Sequence, residues 1–120
     1  GALQAGKQSF EAGDLKTAKA QLGWAADNGK DEIKDIARLR LAAVLLDEKS
    51  FDEALKQLDF SHAAAFASRF QELKGDILGA QGKKAEALAA YKVAQTKSEG
   101  KTGVGSELLQ QKIDSLGEAA

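Results

Sequence analysis

The one histidine of the chain, His62, is the first residue to test for chemistry, because histidine serves in both metal binding and acid–base catalysis. Asp59 and Glu72 are the carboxylates that could assist it. Neither stands at a recognised metal-ligand spacing from it, and a lone histidine does not complete a catalytic triad. We therefore predict a capping or solvent-exposed role for His62 and no metal site.

Two further stretches resemble ligand-binding motifs without matching them. The glycines of "GKTGVG", residues 100–105, suggest a phosphate cradle, but the phosphate-binding loop requires GxxxxGK[ST] between a strand and a helix. Here the order differs and no strand precedes, so we predict a flexible loop. The pair Lys83-Lys84 is isolated among acidic residues and predicts a solvated turn. No nucleophile, base pair or cofactor loop remains, and we expect no enzymatic activity and no cofactor.

Composition limits both the partners and the origin of the chain. A formal net charge of -1 over 120 residues argues against binding to nucleic acid or to an anionic membrane surface. The absence of cysteine excludes disulfides and thiolate sites. A length of 120 residues fits one domain, residues 1–120. Because the chain also has no methionine, we expect it to be a fragment, with any membrane anchor or targeting segment upstream.

The chain is predicted to be helical throughout, since proline is absent and Ala, Leu, Lys, Glu and Gln are abundant. Asp31 is expected to cap the helix that follows it, and Gly29 and Gly82 are expected to end helices. The bend from Asp59 to His62 is the least regular connection. The predicted helices span residues 2–12, 14–28, 32–48, 51–59, 63–81, 84–97 and 105–117.

Three segments are degenerate copies of one another. Aligning "GDLKTAKAQL", "KSFDEALKQL" and "GKKAEALAAY" places Ala18, Ala54 and Ala87 in register, at intervals of 36 and 33 residues. A period near 34 with a helix on each side of a turn is the tetratricopeptide pattern. We predict an all-α, tetratricopeptide-like solenoid of helical hairpins, with about three degenerate repeats and a C-terminal capping helix.

Upstream of each turn, a small residue recurs where the two helices of a hairpin cross. Gly6, Ala42 and Gly75 hold this position, and a larger side chain there would keep the backbones apart. Aromatic residues are few, and most are expected in the core. Trp24 is expected to pack against Ile33 or Ile36.

Two runs point to a narrower family than tetratricopeptide repeats in general. They are "IARLRLAAVLLDEKSFDEALKQLD" and the later "LKGDILGAQGKKAEALAAYKVA". Together with the terminal "LLQQKIDSL", they resemble the periplasmic domain of the YfgM-like family, ancillary subunits of the bacterial SecYEG translocon. The resemblance implies an N-terminal transmembrane helix absent from this chain, a soluble domain facing the periplasm, and anchorage in the inner membrane. It also implies association with the translocon and with a membrane-anchored periplasmic chaperone of the parvulin type, and it implies no catalytic residue.

In such solenoids the concave face, lined by the first helix of each repeat, binds partners. Registering the helices on the small positions predicts a groove that is apolar in its middle and charged at one end, suited to an apolar or extended partner segment. The alternative that these residues only cover neighbouring helices has equal weight. The predicted groove residues are Leu3, Lys7, Phe10, Ile36, Leu39, Ala43, Leu46, Asp47, Arg69, Glu72 and Asp76.

The sequence therefore favours a non-enzymatic interaction scaffold linking the Sec translocon with periplasmic chaperones. The alternative is a generic tetratricopeptide adaptor in another envelope assembly complex, in which case the resemblance reflects only shared repeats.

Overall fold

The computed structural model describes residues 15–98 and 104–119, and every regular element in those ranges is helical. The predicted all-α class is confirmed, and the predicted bounds agree closely with the observed ones. One difference is that the predicted helix 63–81 is a short 3-10 helix followed by an α-helix. The predicted helix at 2–12 lies outside the described residues. The elements are α1 (Leu15–Asn28), α2 (Glu32–Asp47), α3 (Phe51–Leu58), the 3-10 helix (Ala64–Phe66), α4 (Ala67–Ala80), α5 (Lys84–Lys97) and α6 (Val104–Ala119).

Consecutive helices pack against one another, and α2 is the central element. It contacts α1 on one side and α3 and α4 on the other, and α5 packs between α4 and α6. One apolar core lies among α2, α3 and α4, and a second lies among α4, α5 and α6. Leu55 of α3 packs against both cores, which makes the two continuous. None of the helices within the described ranges is long and apolar enough to cross a membrane.

Two of the three aligned alanines are fully buried, whereas Ala18 of the first repeat is only half-buried. Ala54 and Ala87 have no exposed surface, and neither has Ala42 at the helix crossing. At Gly75, a Cβ atom would lie 2.5 Å from both Cδ1 and Cε1 of Tyr91, so only glycine fits beneath that ring. The small crossing residues thus serve close packing, as expected; the first-repeat position, Gly6, lies outside the described residues.

The turns that end α2 and α4 have the same geometry. Lys49 and Gly82, which are 33 residues apart, have φ angles of 64° and 83°. After each of them a backbone N–H bonds five residues back, from Ser50 to the Leu45 carbonyl at 2.8 Å and from Lys83 to the Leu78 carbonyl at 2.9 Å. This is the Schellman ending of a helix, which requires a left-handed residue. Gly82 therefore ends its helix as predicted, and Lys49 does the same without being a glycine.

The start of α2 differs from the prediction. Asp31 has a φ of 52° and its side chain makes no capping hydrogen bond, so the predicted cap is wrong. In that backbone conformation the carboxylate is not directed at the first-turn amides. The Ile33 N–H instead bonds the Lys30 carbonyl at 3.1 Å, and acidic Glu32 and Asp35 complement the positive end of the helix. Gly29 closes α1 as expected, its N–H bonding the Ala25 carbonyl at 2.7 Å.

The connection from α3 to α4 is held by two buried charged residues of α2. Asp35, 5% exposed, accepts the Ala63 N–H at 3.0 Å. Arg38, 3% exposed, donates to the Ala26 carbonyl at 2.9 Å, and its guanidinium carbon lies 3.6 Å from the Phe60 ring centroid. The predicted bend at 59–62 is present, and these contacts fix its path.

His62 lies in this connection, stacked on the buried Phe70 of α4. The ring centroids are 4.0 Å apart and the planes are inclined by 15°. Its Nδ1 lies 3.3 Å from the Phe60 carbonyl. The prediction of a capping or exposed role missed this packing, because no periodic signal places residue 62 over residue 70.

Candidate partner-binding site

The first-repeat members of the predicted groove, Leu3, Lys7 and Phe10, lie outside the described residues. The remaining members lie on α2 and α4, the first helices of the second and third repeats. These two helices contact each other directly.

The groove positions of α2 divide into covered and open residues. Ile36, Leu39 and Leu46 are half-buried and pack against the core among α2, α3 and α4. Ala43 and Asp47 are exposed. The apolar residues thus contribute to the fold through one side while a partial surface remains accessible.

The groove positions of α4 are more polar. Arg69 is exposed, and its guanidinium carbon lies 5.7 Å from the Phe66 ring centroid. Glu72 and Asp76, one helical turn apart, are half-buried and engaged by α6. The acidic end of the predicted groove is therefore occupied by the C-terminal helix of the same chain.

We call this contact the Lys112 clamp, comprising Lys112, Glu72, Asp76 and Tyr91. The Lys112 Nζ lies 2.7 Å from Oε2 of Glu72 and 3.0 Å from Oδ1 of Asp76. The Tyr91 hydroxyl donates to Oδ1 of Asp76 at 2.5 Å, and the ammonium lies 5.8 Å from the Tyr91 ring centroid. The clamp joins three helices through two carboxylates.

The electrostatics of the clamp keep both donors protonated. Burial, and then the hydrogen bond to Asp76, raise the pKa of the Tyr91 hydroxyl well above its ordinary value. Burial alone would lower the pKa of Lys112, but its hydrogen bonds to Glu72 and Asp76 outweigh burial and raise that pKa. At neutral pH the tyrosine is therefore a donor and the lysine a cation.

Sequence reasoning missed Lys112. The one available signal was spacing, since Lys112 stands 36 residues after Asp76 and 40 after Glu72. Those separations are close to the repeat period, so Lys112 lies where a further repeat would place its first helix. A charge at that position would face the preceding repeat.

Trp24 does not pack as predicted, since 68% of its surface is exposed, and Ile33 is 62% exposed. Two residues advance a helix by about 200°, so Trp24 points away from the buried Ala26. The packing side of α1 is the one that carries Ala26 and Leu22, and the repeat period gave no information about the tryptophan ring.

Trp24 belongs to a set of exposed apolar residues at equivalent repeat positions. Trp24, Phe60 and Val93 each stand six residues after a repeat alanine, and Phe60 and Val93 are 47% and 41% exposed. Val93 also borders a shallow depression of about 360 Å³ between α4 and α5, which Lys74, Leu78 and Glu86 help to line. These residues lie on the second-helix side of the repeats.

Within residues 15–98 and 104–119, no group of three or more His, Asp or Glu side chains is placed to hold a metal ion. The surface depressions between α5 and α6, of about 330 and 360 Å³, open broadly to solvent and are lined by helical side chains of mixed polarity. Such surfaces suit a protein segment better than an enclosed small molecule.

Comparison with known proteins identifies similar chains. A family model described as a tetratricopeptide repeat-like domain matches residues 1–118. Three relatives bear the name ancillary SecYEG translocon subunit. The protein of Neisseria gonorrhoeae is 43% identical over 115 residues, covering 95% of this chain and 54% of the relative. That of Escherichia coli is 35% identical over 115 residues, covering 95% and 55%, and that of Haemophilus influenzae is 34% identical over 110 residues, covering 91% and 50%.

This chain spans about half the length of those curated relatives. No solved structure matches it. The comparisons agree with the resemblance expected from the sequence.

Proposed function

We propose, from the premise that this chain belongs to the tetratricopeptide repeat-like domain family, that it is a non-enzymatic docking module of an ancillary translocon subunit. Such repeats stack helical hairpins into an extended surface, and partner binding on that surface is their usual use. The proposal assigns the binding to the groove formed by the first helices.

The observation that carries the proposal is the surface shared by α2 and α4. Exposed Ala43 and Asp47 lie on α2 with the half-buried Leu39 and Leu46, and exposed Arg69 lies on α4, which contacts α2. An extended or helical segment can bury the remaining apolar surface there while its polar groups contact the rim.

The assembly proposed for this module is the Sec translocon. Relatives that align with 91–95% of the chain are named as ancillary subunits of that complex. We further propose that the domain faces the periplasm, that the full protein is held in the bacterial inner membrane by a segment outside this chain, and that a membrane-anchored periplasmic chaperone is a second partner. These finer assignments rest on the family resemblance.

The test is site-specific photo-crosslinking in the full-length protein, in the cells from which it comes. A photoreactive amino acid at Ala43, Asp47 or Arg69 places the probe on the open part of the groove. Matched controls at Glu53 of α3 and Ala85 of α5 place it on exposed sites of the second helices. We expect the groove probes to give discrete adducts containing translocon or chaperone subunits, and the control probes to give none.

Each other result has a defined meaning. Adducts from the second-helix probes alone would make the surface near Val93 the binding face and the groove assignment wrong. Groove adducts with proteins of a different envelope complex would support the generic adaptor instead. Turnover of a substrate by the purified domain would contradict the non-enzymatic assignment.

A further inference from the structure

The C-terminal helix α6 is attached differently from the helices before it. Among its side chains at 107–117, Leu109 is buried, whereas Ile113 and Leu116 are only half-buried. The preceding helix α5 buries four residues. The apolar contact that holds α6 is therefore small.

The Lys112 clamp supplies the rest of the attachment. Its ammonium contacts carboxylates on α4, the helix before the one on which α6 packs. About a third of the Lys112 side-chain surface is exposed, so water and salt reach the ion pairs. An attachment that depends on such pairs is weaker and more reversible than one made by apolar burial.

The position of α6 shows what the surface beneath it binds. It packs on α5, where the first helix of a further repeat would lie. The surface accepts a helix with an apolar face, here Leu109, Ile113 and Leu116, and a lysine directed at Glu72 and Asp76. Two carboxylates beside the Tyr91 ring complement a cationic side chain and repel an acidic one.

We propose that α6 is an exchangeable latch, and that an amphipathic helix of a partner protein, with a lysine beside its apolar face, displaces it. The displaced latch uncovers the apolar surface of α5 and the acidic end of the groove together. This inference rests on the proposed docking function, since it supplies that function with a second and normally covered binding surface.

The test uses a fluorescently labelled peptide with the sequence of residues 104–119, and fluorescence anisotropy as the readout. In the unmodified chain the tethered α6 competes at millimolar effective concentration, so micromolar peptide binds weakly. In the chain carrying Lys112→Glu, the chain's own helix is repelled by the two carboxylates. The added peptide, which keeps its lysine, is then expected to bind at least about tenfold more tightly.

Three controls isolate the clamp. A Lys56→Glu chain has the same change of charge at an exposed site on α3, and is expected to bind the peptide as the unmodified chain does. A peptide carrying the glutamate in place of its own lysine is expected not to bind any of the chains. A Lys112→Gln chain, which is uncharged at that site, is expected to give an intermediate affinity and serves if the glutamate variant unfolds.

Equal affinity of the peptide for the Lys112→Glu, Lys112→Gln and Lys56→Glu chains would overturn the latch, as would equal binding of the two peptides. That failure is distinguishable from failure of the docking function, because crosslinks from Ala43 and Asp47 do not depend on displacement of α6.

Discussion

The second and third repeats reach the same hairpin architecture by different means. In the third repeat α4 and α5 have 14 residues each, and Gly75 lets the Tyr91 ring lie directly against the α4 backbone. In the second repeat α2 has 16 residues and α3 only 8. At a rise of 1.5 Å per residue, α3 is about 9 Å shorter than α5. The chain that follows α3 is held by Asp35 and Arg38.

This difference shows that a repeat which departs from its motif needs specific polar contacts to close. In the third repeat, where the motif is complete, Gly75 opposite the Tyr91 ring is sufficient to close the hairpin. Where the second helix ends early, buried Asp35 accepts the Ala63 N–H of the connection and Arg38 lies over the Phe60 ring, and the rings of His62 and Phe70 fill the space.

The largest effect that tests this comparison is expected at the junction of the two repeats. Phe70 is 2% exposed and carries the His62 ring, so Phe70→Ala should lower the free energy of unfolding by roughly 3–5 kcal/mol. Chemical denaturation followed by circular dichroism measures this. Trp24→Ala is the aromatic control, because Trp24 is 68% exposed, and it should cost about 1 kcal/mol or less. Equal losses would mean that the junction is not a packed core.

The next effect concerns the third repeat. Gly75→Leu places side-chain atoms where the Tyr91 ring lies, and overpacking of this kind costs roughly 1–3 kcal/mol. Gly79→Ala is the control one turn later in the same helix, where the nearest atom to a new Cβ is the Ala87 Cβ at 3.8 Å. It should raise stability by roughly 0.5–1 kcal/mol through helix propensity. Thermal melting that is unchanged by Gly75→Leu would contradict the assigned helix crossing.

A smaller effect is expected at the polar closure of the second repeat. Asp35→Ala leaves the Ala63 N–H without its acceptor, at a cost of roughly 1–2 kcal/mol. Asp31→Ala should change stability by less than about 0.5 kcal/mol, because that carboxylate makes no capping bond. If the two variants melt alike, the connection is held by something other than Asp35.

The smallest effect is a loss of stability at high pH from the Lys112 clamp. The folded-state pKa values of Tyr91 and Lys112 lie above the ordinary 10.0 and 10.5, so both groups stabilise the fold below about pH 10. That stability is lost as the pH rises through their folded-state values. Because the clamp is partly exposed, the change should stay below roughly 1 kcal/mol.

The measurement is urea unfolding between pH 7 and 11.5. Tyr91→Phe removes one of the two titrating groups, so its stability should decline less above pH 10 than that of the unmodified chain. Parallel curves would show that the Tyr91 hydroxyl does not contribute.

The same comparison explains what the sequence could predict. The all-α class, the helix bounds and the small crossing position follow from local propensity and from the repeat period, which the third repeat obeys. Asp35, Arg38 and His62 were not foreseen, because they act between α2 and the 59–63 connection, where the period is interrupted. The groove positions on α2 and α4 stay a prediction from the repeat register. The contact of Glu72 with Lys112 was not predicted, because it joins residues 40 positions apart. The prediction that Asp31 caps α2 was wrong, because residue type alone does not determine the backbone conformation that a cap requires.

The two left-handed turns bear on the order in which the hairpins fold. Gly82 adopts its φ of 83° without steric strain, whereas Lys49 at 64° must be held there by the helices around it. Both hairpins are local along the chain, but the α4–α5 hairpin makes the more extensive helix–helix contact, which favours its earlier formation. We therefore expect pulse-labelled hydrogen exchange to protect the amides of α4 and α5 before those of α2 and α3, and the reverse order would rule this out. During synthesis, the third repeat would then act as the template on which the less regular second repeat is completed.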